Sequence, residues 1–378
     1  MVNGRNNGFM YLNKLKLNNF KNISQAELTF CANVNCLVGE NGVGKTNILD
    51  AIHYLSFCKS YFNLIDANNI KYDEDFFSIH GFYSGKENSI DKFSCVLKKG
   101  ERKLFKCEDK EYNRFSEHIG KIPLVMITPS DQELIIGGSE LRRKFLDLVI
   151  SQVDTLYLDN LIKYNKALMQ RNALLKHFYQ THTFNLQSLQ IWDEQMISFG
   201  TIIHNRRKSF INEFSPIFQY YYNFISSEKE KVEISYVSDE LEENYERLLV
   251  DSLERDRVLK YTSVGIHKDD LELSMNGNGV KKFASQGQQK SFLLALKLAQ
   301  FEYIFNRTKI KPILLLDDVF DKLDLKRINQ LLHLVGSDRF GQVFVTDTQL
   351  GRVESIFENT DMEHKIYTIS EKGIENEK

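Results

Sequence analysis

The chain has 378 residues, 42% apolar and 26% charged, and 49 Lys and Arg against 51 Asp and Glu leave a formal charge of -2. This length and composition exclude a mainly disordered chain and allow two or more domains, while the near-neutral balance excludes a histone-like coat for nucleic acid. No stretch reaches the roughly 18 consecutive apolar residues of a membrane span, and residues 1–9 are polar and Gly/Asn-rich, so they read as a disordered extension of an unexported, cytoplasmic protein. The five cysteines are odd in number and form no Cys-x-x-Cys pair, which points to reduced thiols rather than a disulfide framework or a zinc site.

Residues 10–138 are expected to form strands at Tyr11 to Leu17, Ala26 to Phe30, Val34 to Val38, Phe76 to Tyr83 and Phe93 to Leu97, where β-branched and aromatic residues cluster at strand lengths. One helix interrupts them from about Lys45 to Phe57, with Ile48, Leu49, Ile52 and Leu55 on one stripe. Residues 139–260 read as a largely helical insert, since Leu141, Phe145, Leu146, Val149 and Ile150, then Leu161, Tyr164 and Leu168, recur at helical spacing. Its charge is uneven: residues 141–210 hold 10 basic and 5 acidic side chains (+5), whereas 211–260 hold 6 basic and 12 acidic (-6). Such a split fits a basic contact face, and it fits a solvated helical surface equally well.

From 261 the pattern alternates again, with a helix from about Ser285 to Phe305, a strand Pro312 to Leu316, a helix Lys326 to Leu334, and strands Gln342 to Val345 and His364 to Ile369 before a charged tail. Strand, helix, strand in this order implies a parallel sheet. The expectation is therefore one α/β core, residues 10–138 and 261–378, split by a helical arm.

Gly39, Glu40, Asn41, Gly42, Val43, Gly44, Lys45 and Thr46 satisfy G-x-x-x-x-G-K-[ST] between an apolar strand and a helix. The glycines let backbone N–H groups turn inward around phosphate oxygens, Lys45 neutralises the β/γ-phosphates, and the Thr46 hydroxyl can ligate Mg2+. The apolar run Ile313 to Leu316 ends in Asp317 and Asp318. A carboxylate at the tip of a neighbouring strand would hold Mg2+ opposite Thr46, which assigns Asp317 to the metal and Asp318, one position further out, to the general base that polarises water. An Asp base is one methylene shorter than Glu, and slow turnover is expected. ATP with Mg2+ is the implied cofactor.

Phe283 to Lys290 opens a long apolar helix, and Ser285 with Gln288 forms a capping box. Capping does not explain Gly287 in the first turn, where it costs about 1 kcal/mol relative to Ala. The run Ser285 to Lys290 resembles the signature motif of SMC-like ABC-type ATPases. The resemblance implies that Ser285, Gly287 and Gln288 of one subunit cap the nucleotide on the P-loop of a second. Further segments resemble the RecF family of recombination mediators over nearly the whole chain: Leu17 to Asn22, Leu141 to Asp147, Gln170 to Lys176, Gly265 to Leu271, and Asp321 to Asp324 as the D-loop.

That resemblance implies an α/β ABC/SMC-like P-loop ATPase head, with a β-rich lobe, an α/β lobe and an inserted α-helical arm. It also implies a weak, DNA-stimulated ATPase whose ATP-dependent homodimer clamps duplex DNA near single-strand gaps and helps RecO and RecR load RecA. Gln132 falls to the Q-loop role, a metal and water contact, and Thr346 to the γ-phosphate sensor. The sequence departs from the family pattern at Cys58, Ile266 and Lys268, and at Thr346 and Asp347, where ABC proteins carry His. Arg142, Arg143, Lys144, Arg171, Arg206, Arg207 and Lys208 are the candidate contacts to DNA phosphates, provided they are accessible. His267 with Asp269 and Asp270 reads as satisfied polar contacts rather than a metal site, and Trp192 as packing. Alternatives left open by the residues are a head of another SMC-like family working with a nuclease, a P-loop small-molecule kinase, and a nucleotide-gated scaffold without hydrolysis.

Overall fold

The computed structural model describes residues 10–63, 65–85, 90–226, 230–239, 241–319, 327, 330, 339–357, 363–370 and 373–377. The expected extension 1–9, the D-loop residues Asp321 to Asp324 and the expected helix from Lys326 to Leu334, save Arg327 and Gln330, lie outside them. The chain divides into two compact units, one running to Asp131 and resuming at Leu296, the other spanning Gln132–Ala295.

Among the described residues the first unit holds two six-stranded sheets. One runs in the order Gly373–Glu377, His364–Ser370, Val34–Val38, Val343–Asp347, Ile313–Leu316, Leu124–Ile127. It is parallel except for the Gly373–Glu377 edge strand. Its inner strands are continuous apolar runs, as expected of parallel strands covered on both faces, and Val34–Val38 and Ile313–Leu316 are buried at every residue. The other sheet is an antiparallel meander with one longer crossover, in the order Ile23–Thr29, Tyr11–Phe20, Phe76–Ser84, Ile90–Lys98, Leu104–Cys107, Lys110–Glu111.

Helix Lys45–Phe57 touches strands of both sheets, and 11 of its 13 residues are buried. A helix packed on opposite sides needs more than the single stripe read from the sequence, and its buried polar groups need partners. Asp50 accepts from Ser60 Oγ at 2.6 Å and Tyr61 N at 2.7 Å, and pairs with Lys21 Nζ at 2.6 Å. Ser56 Oγ donates to Ile122 O at 2.6 Å.

The second unit contains helices Ser139–Ser151, Thr155–Thr181, Leu186–Ser226 and Leu241–Leu259. Asp154 caps the second of these by accepting from Tyr157 N at 2.9 Å. Within the arm, expected to be largely helical, Val232–Val237 is a strand, paired antiparallel with Asp270–Met275, which in turn pairs with Asn278–Gly279. This pairing joins residues 261–295, expected in the α/β core, to the arm. The two compact units divide at 131/132 and 295/296. Helix Gln286–Thr308 begins in the second unit and ends in the first.

Cys31, Cys36, Cys58, Cys95 and Cys107 are free thiols, the first four buried. Among the described residues no helix is long and apolar enough to cross a membrane.

Candidate functional site: a P-loop beside a carboxylate-tipped strand

Strand Val34–Val38 lies between His364–Ser370 and Val343–Asp347, so the loop that follows it leaves the middle of the parallel sheet. Each glycine of that loop has its own reason. A Cβ on Gly39 would sit 2.2 Å from the Ile369 carbonyl oxygen, a clash with a neighbouring strand's backbone. Gly42 and Gly44 have φ of 88° and 112°, in the region that favours glycine. Glu40 and Asn41 are exposed and Val43 is half-buried. Lys45 is 4% exposed. Its ammonium donates to the Gly39 and Glu40 carbonyls at 2.8 and 2.9 Å, and thus curls over the loop it would share with a phosphate.

Three hydroxyl and carboxylate groups meet beside the loop. Thr46 Oγ1 and Thr346 Oγ1 donate to the same oxygen, Asp317 Oδ1, at 2.8 and 2.9 Å. Asp318 N donates to Thr346 Oγ1 at 2.9 Å, and Asp318 adopts φ 48°, which turns the chain at the strand end and leaves its side chain half-buried. Parallel register explains the convergence: Leu316 pairs with Val345 and Thr346 with Leu37, so the three strand tips stand side by side. Burial raises the Asp317 carboxyl above its ordinary 3.8, the Thr46 and Thr346 hydrogen bonds oppose that shift, and the Asp318 charge adds to it. Hard oxygen donors at this spacing, beside a lysine and a glycine-rich loop, fit a Mg2+–triphosphate: Thr46 and Asp317 would hold the ion, and Lys45 the phosphates. Thr346 is fully buried. The residue expected to sense the γ-phosphate thus donates to Asp317 and accepts from Asp318 N.

Ser285 and Gln288 make the expected capping box, with Ser285 N donating to Gln288 Oε1 at 2.8 Å and Gln288 N to Ser285 Oγ at 3.3 Å. Ser285 is exposed, and Gln288 Nε2 donates to Glu230 Oε1 at 3.0 Å. These residues and Gly287 belong to the second unit. Gln132, the expected Q-loop residue, is exposed. Its neighbour Asp131 is the buried polar group here, accepting from Thr128 N at 2.7 Å and Tyr61 OH at 2.7 Å. Asp131 was not among the expected site residues, and Asn22, whose amide contacts the P-loop, was named only as the end of the segment Leu17 to Asn22 that resembles the family's N-terminal turn.

Two of the proposed DNA contacts fail the accessibility condition. Arg171 is fully buried and bonds Asp193 at 2.5 Å, Asp256 at 2.6 Å and Thr262 Oγ1 at 2.9 Å, tying three helices together. Arg207 is 1% exposed and bonds Tyr157 OH, Ile266 O, Asp269 and Asp147. Both are structural arginines. A basic residue at helical spacing carries no sign of which face it lies on until its acidic partners are known. Arg142 makes a bidentate pair with Asp270 at 2.7 and 2.9 Å, Arg143 donates to Asp269 O at 2.6 Å, and Arg206 pairs with Asp154 at 2.8 Å. Lys144 and Lys208 are exposed, Lys144 beside Glu140 at 2.7 Å. His267 bonds Tyr164 OH at 2.9 Å and Thr262 O at 3.0 Å, as satisfied polar contacts. Trp192 is half-buried.

A parallel sheet with a P-loop at its centre, a carboxylate-tipped strand in the same sheet, an antiparallel sheet across the P-loop helix and an interrupting helical unit together define an SMC-like ATPase head. The sequence model described as "RecF/RecN/SMC N terminal domain" matches residues 11–372. The DNA replication and repair protein RecF of Flavobacterium johnsoniae is 49% identical over 360 residues, covering 95% of this chain and 100% of that protein. That of Phocaeicola vulgatus is 46% identical, covering 98% and 99%. The chain belongs to the RecF family of DNA replication and repair proteins. A solved structure of the recombination mediator protein RecF with ATP superposes with a TM-score of 0.90 at 29% identity, covering 100% of both chains. An Smc head domain from Pyrococcus furiosus shares the fold alone, with a TM-score of 0.56 at 16% identity over 97% of this chain and 96% of that one.

Proposed function

We propose that this chain binds ATP with Mg2+ at the loop Gly39 to Thr46, hydrolyses it slowly, and uses that cycle to control a head-to-head dimer on duplex DNA. The observation that carries the reading is the convergence of Thr46 and Thr346 on Asp317 Oδ1 at 2.8 and 2.9 Å, beside a lysine already turned into the loop. When bound, the Mg2+–triphosphate supplies the scissile phosphoanhydride and the positive charge that offsets its oxygens. Lys45 exchanges the Gly39 and Glu40 carbonyls for phosphate oxygens, which bind an ammonium more strongly because they are charged. Thr346 holds Asp317 and the Asp318 backbone in register, and Asp318 accepts the proton of the attacking water.

The Ser285, Gly287 and Gln288 motif starts a capped helix on the second unit with Ser285 exposed, available to a second copy whose P-loop carries the nucleotide. ATP would thereby join two heads and hydrolysis release them. Lys144 and Lys208, with the half-buried Arg142, Arg143 and Arg206, form the basic set through which the arms would grip phosphates. Relatives described as RecF and a RecF structure placed in the RecFOR pathway favour a role with RecO and RecR in loading RecA at single-strand gaps. Sedimentation of Asp318→Asn tests the core of this reading: a dimer with ATP and a monomer without it are expected, and a monomer under both conditions would remove it.

A further inference from the structure

Gly42 and Val43 share one peptide plane, so the Gly42 carbonyl and the Val43 N–H point to opposite sides. Asn22, at the turn between strands Tyr11–Phe20 and Ile23–Thr29, donates from Nδ2 to Gly42 O at 3.2 Å. Its Oδ1 accepts from Asn47 Nδ2 at 2.7 Å, in the first turn of the P-loop helix. The Gly42 carbonyl can only accept, so these two partners fix which end of the Asn22 amide faces which. With its carbonyl held toward the turn, the peptide aims the Val43 N–H at the other side, into the phosphate loop.

A flip of this peptide would carry Val43, a β-branched residue that is not at positive φ, into that region, and the Asn22 bond adds to this backbone preference from outside the loop. A flip would turn an acceptor toward the anion in place of a donor. Asn22 also roofs Gly44, where a Cβ would lie 2.9 Å from Asn22 Oδ1. The turn itself is anchored independently of any ligand: Lys21 pairs with the buried Asp50 at 2.6 Å, and Lys21 N donates to Asn69 O at 2.8 Å.

We propose that Asn22 is a positioning residue of the triphosphate site, holding the Gly42–Val43 peptide so that the Val43 N–H is presented to phosphate oxygens. The inference rests on the nucleotide reading above and adds to it a residue outside the loop motif. It also implies a ligand contact through phosphate alone, with no part for the nucleoside.

The test is calorimetric titration of the full chain with ATP and, separately, with inorganic tripolyphosphate, using the parent, Asn22→Ala and, as a control, Lys45→Ala. Asn22→Ala is expected to weaken both ligands by the same factor, about tenfold, the worth of one hydrogen bond to a charged group. The melting temperature of its ligand-free form should stay at the parent's value, because both Asn22 bonds are solvent-exposed. Parental affinity of Asn22→Ala for tripolyphosphate overturns the proposal, as does a loss seen with ATP alone, which places Asn22 on the nucleoside. A fall in the ligand-free melting temperature that accounts for the loss makes Asn22 a fold residue and overturns it too. If instead the parent binds neither ligand, or Lys45→Ala binds them as the parent does, the nucleotide reading itself has failed.

Discussion

Lys297 Nζ lies 2.6 Å from Asp131 Oδ1, both side chains are buried, and the two residues mark where the chain leaves the first unit and where it comes back. Lys297 also donates to Met126 O at 2.9 Å, and Asp131 receives Thr128 N and Tyr61 OH. With the remaining hydrogen-bonding capacity so occupied, the pair escapes most of the penalty for burying charge, but neither partner tolerates loss of the other.

Lys297→Met should therefore cost about 3–5 kcal/mol, the usual consequence of leaving one buried charge alone. Combining it with Asp131→Leu should recover part of the loss, since an apolar pair carries no desolvation cost. Urea unfolding of the two variants measures both, and a single-variant cost below roughly 1 kcal/mol would show that the pair does not hold the crossing.

Asp317 should behave in the opposite way, because its carboxyl is raised by burial. A group that binds its proton more tightly in the folded state contributes stability fully below its unfolded pKa. That contribution is lost as pH rises through the folded pKa. The window opens at the ordinary 3.8 and extends above it, and at neutral pH the ionised, ligand-free carboxylate destabilises the fold. Asp317→Asn should accordingly leave the melting temperature at pH 7 unchanged or raise it, while removing Mg2+-dependent ATP hydrolysis. A clear drop in melting temperature would show that the charge is compensated.

How far the site could be read in advance depends on the range of each signal. Gly39 to Thr46 and Ile313 to Asp318 are contiguous motifs, and their pairing follows from parallel topology alone. Thr346 was singled out as a switch residue, but its contact with Asp317 is set by strand register, which no local pattern reveals. Strand Leu124–Ile127 escaped because four buried apolar residues carry no period that separates strand from helix. Val232–Val237 did carry a signal: Val232, Ile234 and Tyr236 alternate with Glu233 and Ser235, a period of two lost in a helical background. The parts played by Asn22 and Asp131 could not be read this way, since their contacts with Gly42 and Lys297 reach 20 and 166 positions along the chain.

Acid should weaken both units. Burial lowers His53 and His118 in the first unit, and His267 in the second, from 6.5 to about 4. An imidazole held neutral contributes stability above its unfolded pKa, and that contribution is lost as pH falls from 6.5 through about 4. His53→Phe, which keeps a ring stacked on Phe57, should flatten the dependence of unfolding free energy on pH in this window by up to about 1.4 kcal/mol per pH unit. A slope identical to the parent's would mean that His53 is protonated in the fold.

The basic residues of the arm should separate into two groups under mutation. Arg171→Ala and Arg207→Ala each remove the cation paired with a buried carboxylate, Asp256 in one case and Asp269 in the other, and should cost about 3–5 kcal/mol. Any effect of theirs on DNA would follow from unfolding. Lys144→Ala and Lys208→Ala change exposed positions and should stay within about 0.5 kcal/mol of the parent. If the arm grips duplex through phosphates, each should lower the slope of log K against log salt by about 0.9, one released counterion per lost contact, and do so equally for unrelated duplex sequences. Fluorescence anisotropy with ATP present, across a salt series, reads that slope, and a slope unchanged in both lysine variants would take this face of the arm off the DNA.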